Sequence, residues 1–138
     1  MASIIWNSCL DDAVRANIDF DGDTFYGMLL TSAFTPDKDA QLKRGDLTDE
    51  VVGTGYTADG KVATVGVTKD LANDRIDISL GALSWATATI AARYLAYYKR
   101  RGGLASADEL VALIDFGGTV SSTAGTFAVS ASTLRLQN

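Results

Sequence analysis

SWATATIAARYLAYYK, residues 84–99, decides how the rest of the chain is read. It contains no Gly or Pro, and Thr89, Ile90, Tyr94, Tyr97 and Tyr98 supply β-branched and aromatic side chains that fit a pleated surface. Taken at a period of two, Ile90, Ala92, Tyr94, Ala96 and Tyr98 share one face, while Ala91, Leu95 and Tyr97 share the other with Arg93. A strand apolar on both faces is covered on both faces, which places this one mid-sheet. The competing reading is a helix, because Ala, Leu and Arg favour one.

Working outward, Gly81 breaks the pattern before this strand and Gly102-Gly103 break it afterwards. LVALIDF (110–116) is another buried run. Gly117-Gly118 and Gly125 bracket a Thr/Ser-rich segment, Phe127, Val129 and Ala131 alternate in a further strand, and Leu134 and Leu136 follow. Upstream, KVATVGVT (61–68) and RIDISL (75–80) flank an Asn73-Asp74 turn and read as a hairpin with one solvated side. TFYGMLLTS (24–32) is a strand with both faces mostly apolar. Ile5, Cys9, Leu10, Ala13 and Val14 recur at helical spacing opposite Asp11, Asp12 and Arg15. They predict a helix over about 4–16, capped by Ser3 or Ser8 and ended by DFDGD (19–23). Roughly seven to nine short strands, with turns every 8–12 residues, predict a mainly β fold. The expected form is an antiparallel β-sandwich, jelly-roll or Ig-like, with one short N-terminal helix, as a single domain over 1–138.

Residues 33–60 form the longest irregular stretch and hold the only proline, Pro36, with Gly45, Gly53, Gly55 and Gly60. A loop this long is usually a contact surface, and its backbone needs hydrogen-bond partners that a neighbouring subunit can supply. Phe34, Leu42 and Leu47 are its expected apolar anchors, with Pro36 among them. The rival reading folds the loop over its own sandwich.

The chain has 138 residues, 47% hydrophobic and 21% charged, and no apolar run approaches the roughly 18 residues of a membrane span. MASIIWNSC has no basic n-region and meets Asp11 before an apolar region forms, so no signal peptide is expected. A single cysteine, Cys9, makes no internal disulfide and reads as a core residue. The net charge of −5 is uneven, with ten acids against four bases in residues 1–50 and seven against eight beyond. Such a chain is a poor nucleic-acid ligand. Lys99, Arg100 and Arg101 form the only basic run, read either as a solvated loop tip or as a partner contact.

The absence of histidine removes His-based triads and the usual zinc sets. GYTADGK (55–61) has the skeleton of a phosphate loop, but Val62 stands where Ser or Thr would hold magnesium and a strand pattern follows instead of a helix. The acids of DFDGD (19–23) lack the closing glutamate of a calcium loop, since Leu30 falls at that position. DFG (115–117) has no companion kinase motif. The pairs Asp11/Asp12, Asp37/Asp39 and Asp108/Glu109 fall in stretches expected to be exposed. No catalytic residue, metal site or cofactor is therefore expected.

Several segments, in order, carry a resemblance: IDFDGDT (18–24), MLLTSAFTPDK (28–38), DEVVGTGYTADGK (49–61), Trp85 ahead of TIAARY (89–94), IDFG (114–117) and GTF (125–127). Together they resemble a group of small bacteriophage virion structural proteins. The resemblance implies a non-enzymatic protein of a tailed phage, located in the virion and assembled in the host cytoplasm. The leading form is a capsid decoration (cement) protein that binds the major capsid protein as a homo-oligomer, without nucleic acid or membrane. The alternatives are a tail, fibre-attachment or adaptor component and, from another class, a carbohydrate-binding module. An aromatic platform drawn from Tyr26, Tyr56, Tyr94, Tyr97 and Tyr98 would mark the last of these.

Overall fold

The computed structural model describes residues 3–138. In chain order the elements are β1 (Ile4–Ile5), α1 (Asn7–Val14), β2 (Phe25–Leu30), β3 (Lys61–Ala63), β4 (Val65–Asp70), β5 (Arg75–Leu80), β6 (Leu83–Lys99), β7 (Leu110–Val129) and β8 (Ser132–Gln137). They form two antiparallel sheets, ordered β1-β7-β6-β2-β3 and β4-β5-β8, with one short helix. The result is a mainly β sandwich; its strand order supports neither of the finer subtypes, jelly-roll or Ig-like.

The stretch 84–99 is a strand, and β6 lies mid-sheet between β2 and β7. Its two faces bury different cores. Ile90, Ala92, Leu95 and Tyr97 join Leu29, Leu80, Trp85 and Phe127 between the sheets. Tyr94, Ala96 and Tyr98 join Trp6, Met28, Leu30, Phe34 and Leu110 on the opposite face. The expected face assignment therefore fails at Arg93. Ala92 pairs with Val120 but Tyr94 with Asp115, which leaves Arg93 opposite residues 116–119 of β7. An insertion of this kind is a bulge, and it turns the following side chains to the other face. Gly117, at φ 83°, occupies the left-handed conformation within it. The glycines expected to end a strand instead kink one continuous strand, because β6 supplies an unbroken ladder beside it.

Two further expectations are corrected. The helix does not begin at residue 4. Ile4 and Ile5 pair with Leu113 and Ala112 at the edge of β7, where backbone groups would otherwise lack partners. Trp6, fully buried, precedes the helix without a side-chain cap, while Ser3 Oγ accepts from the Asp115 N–H at 2.9 Å. The apolar stripe of α1 is mostly uncovered, with Cys9 buried but Leu10 50% and Val14 89% exposed. Asp12, expected on the solvated side, is buried and accepts from Asn17 Nδ2 at 3.0 Å. The strand expected over 61–68 divides at Thr64, where the chain leaves one sheet for the other. Gly81 makes the return crossing alongside, its N–H donating to Thr64 O at 2.7 Å. A Cβ on Gly81 would meet that oxygen at 2.8 Å, so glycine is needed for the close approach.

Candidate functional site

The 33–60 loop folds back over its own sandwich. Phe34, expected as an interface anchor, is buried in an edge-on contact with Tyr94, ring centroids 5.9 Å apart. Leu47 is half-buried against the same core, and Val51 enters the core between the sheets. Pro36 is half-buried, and of the three anchors only Leu42 is exposed. The face of β2 and β6 turned away from the second sheet needed a cover, and this loop provides it.

A knot of charges pins the loop in place. Arg44, in a 3-10 turn (Arg44–Asp46), sends Nε to Asp108 Oδ2 at 2.7 Å and a terminal nitrogen to Asp59 Oδ1 at 2.7 Å. Its guanidinium lies 5.2 Å from the centre of the Tyr98 ring, whose hydroxyl donates to Asp59 O at 2.6 Å. Asp108 and Glu109 were expected to be exposed, yet they are 0% and 3% exposed. Buried carboxylates demand partners, and the Lys99-Arg100-Arg101 run supplies several. Arg101 Nε donates to Glu109 at 3.0 Å and the Arg101 N–H to Asp108 Oδ1 at 2.9 Å. Arg100 pairs with Asp59 at 3.3 Å and covers the Tyr26 ring at 4.9 Å, and Lys99 pairs with Asp23 at 2.8 Å. The three bases are thus committed within the fold and do not form a free loop tip.

The electrostatics follow from this geometry. Burial alone would raise the Glu109 carboxyl, but the Arg101 hydrogen bonds and the neighbouring Lys43 charge bring it below the usual range. Burial pushes the Tyr98 hydroxyl up to about 12. Burial also raises Glu50, against hydrogen bonds from the Tyr56 hydroxyl and the Asp59 N–H. Asp19, Asp21 and Asp23 close their own turn, with Asp23 Oδ2 accepting from the Asp19 N–H at 2.7 Å. Among the described residues no group of three or more Cys, Asp or Glu side chains is arranged to hold a metal. In GYTADGK, Gly60 serves close packing, since a Cβ there would lie 1.8 Å from Gly27 O.

The far half of the β6–β7 hairpin presents a different surface. Ser84, Ala86, Thr87, Thr89 and Ala91 of β6 are exposed, as are Ser121, Thr123, Thr126 and Ala128 of β7. Residues 82–92 and 116–134 include no charged side chain. No aromatic side chain is exposed among the described residues, so the tyrosine platform of the carbohydrate reading is not assembled. Tyr94, Tyr97 and Tyr98 are buried, while Tyr26 and Tyr56 are half-buried. Comparison with models of known protein families, with curated proteins and with solved structures found no match.

Proposed function

We propose that this chain is a non-enzymatic structural protein of a tailed bacteriophage virion, a decoration protein that binds the outside of a shell of major capsid protein as a homo-oligomer. The observation that carries this reading is the uncharged far half of the β6–β7 hairpin. In a chain with 21% charged residues, an exposed two-strand face of Ser, Thr and Ala side chains has the charge depletion that marks the centre of a protein interface. The segment order shared with small phage virion proteins supports it, and so does the acidic balance, since an outer protein has no DNA to neutralise. The interface is accordingly assigned to the hairpin face and no longer to Phe34 or to Leu42, which lies beside Ser8 and next to the Lys43–Glu109 bridge at the opposite end of the hairpin.

Quantitative mass spectrometry of purified virions tests the assignment. Copies in the hundreds support a capsid protein, while a handful to a few dozen would place it in the tail or at a fibre attachment, the second structural reading. Its absence from virions would overturn both. Ala91→Lys combined with Ser121→Glu, an opposite-charge pair at directly facing positions, is expected to prevent incorporation without lowering the melting temperature. Normal incorporation of that variant would remove the hairpin face from the interface.

A further inference from the structure

On one side of the sandwich the sheets are joined at β3 and β4 through Thr64. On the other side the chain crosses only at the Ser130-Ala131 corner between β7 and β8, and beyond that corner the sheets stay apart. Three cavities run along that opening, of about 330, 560 and 150 Å³. The first two share Ile114 and Ser132, and the second and third share Ile5, Leu134 and Arg135, so they form one trench. Its inner end, under α1, is lined by Cys9, Leu10 and Val14 opposite Leu134 and Leu136. This explains the uncovered stripe of the helix: those side chains line a gap that the described residues do not fill.

The lip of the trench is an unusually open strand edge. Sheet edges are normally protected by brevity, Lys, Pro or bulges. β1 and β3 are short and β4 carries Lys69, whereas β8 runs over Ser132–Gln137 without Lys, Pro or a bulge, and its one charge, Arg135, is drawn to Asp77. The Asn138 N–H donates to Asp74 O at 3.0 Å, which fixes the alternation along β8. The N–H and C=O groups of Thr133, Arg135 and Gln137 therefore point away from β5. Among the described residues Arg135 is the only charged one lining these three cavities, and Asp77 pairs with it at 2.7 Å. A charged occupant would find no counter-charge there and would lose its hydration.

We propose that this trench receives an extended, uncharged strand of a partner polypeptide. The strand hydrogen-bonds to the free edge of β8 and turns alternate apolar side chains into the cavities beside Leu134 and Leu136. The period of a strand matches the arrangement, because every second side chain of the added strand faces inward. This inference does not rest on the virion reading, and its test needs no virion.

The probe is an end-capped heptapeptide of alternating threonine and leucine, titrated into the isotope-labelled full chain and followed by NMR. Saturable binding is expected, with shifts centred on β8 and α1 and slowed exchange of the Thr133, Arg135 and Gln137 amides. The same peptide with lysine in place of leucine should not bind. Thr133→Pro with Gln137→Pro removes two outward donors and leaves the ladder to β5. It should weaken binding about tenfold or more, with the melting temperature within about 2 °C of the parent. If the prolines unfold the edge, Leu136→Lys, at a side chain already 56% exposed, gives the same readout. Lack of saturation, equal binding of the lysine peptide, or undiminished binding by these variants would overturn the proposal. So would concentration-dependent dimerisation of the chain alone that the prolines abolish, since a second copy would then own the edge.

Discussion

The two halves of the β6–β7 hairpin are built from the same two strands but live in different surroundings. In the near half, from Tyr94 to Tyr98 and from Leu110 to Leu113, both faces are buried, one between the sheets and the other under the 33–60 loop. In the far half only one face is buried, and Ser, Thr and Ala occupy the other. The change of regime falls at the bulge opposite Arg93, where the side chains exchange faces. Covering a sheet twice required a second set of elements, and these brought a charge knot with them. Leaving a face open required only that its side chains be small and neutral.

The comparison would break most readily at Asp108. Asp108→Ala leaves Arg44, itself only 9% exposed, without its buried partner. A loss of about 3–5 kcal/mol in urea unfolding is expected, and a loss under about 1 kcal/mol would mean the near half stands without the knot. Next comes Leu95→Ala, a fully buried leucine in the doubly covered half, expected to cost about 3 kcal/mol. Near-parental stability there would show that the near half is not tightly packed.

At the boundary, Gly117→Ala should cost about 1 kcal/mol, since its φ is 83° although nothing lies within 4 Å of an added Cβ. Gly118→Ala, in equally open space without a positive φ, serves as the control. A smaller effect separates the halves by pH. The folded Glu109 carboxyl lies below its unfolded value, so its stabilisation is present above about pH 4.3 and is lost as pH falls through the folded value. Glu109→Gln should therefore melt below the parent at neutral pH, with the gap closing on acidification; a gap independent of pH would detach the effect from ionisation. The smallest change is expected in the far half, where Ser121→Ala on the exposed face should stay within about 0.5 kcal/mol at every pH.

Much of the architecture was legible in local pattern. The strand over 84–99, the two-faced burial of β2 and the alternation of Ile76, Ile78 and Leu80 are consequences of period and residue type. What escaped was set by distant partners. Nothing in the immediate surroundings of Arg44 announces a salt bridge to Asp108, and the burial of Phe34 depends on Tyr94 lying beneath it. One signal was available: three bases precede the Gly102-Gly103 turn and two acids follow it, and opposite charges facing each other across a hairpin form pairs. The bulge at Gly117 was hidden for another reason, since paired glycines signal a turn and a kinked strand equally well. As for the site, the expected loop proved to be a cover, and the uncharged face was visible as a run without Asp, Glu, Lys or Arg.

The contact between Arg44 and Asp108 joins positions 64 residues apart, and this has a kinetic consequence. Closing so long a span carries a loop-entropy cost that is repaid only once the hairpin presents Asp108. The hairpin is therefore expected to assemble first and the loop to latch afterwards, so the folded molecule should open in the reverse order. Native-state hydrogen exchange can read that order at two amides: Val51, whose N–H donates to Leu29 O at 3.0 Å, and Leu95, in the ladder between β2 and β7. If Val51 exchanges through a smaller opening than Leu95, the loop is a latch that lifts while the sheet beneath it stays folded; equal openings would make latch and sheet one cooperative unit.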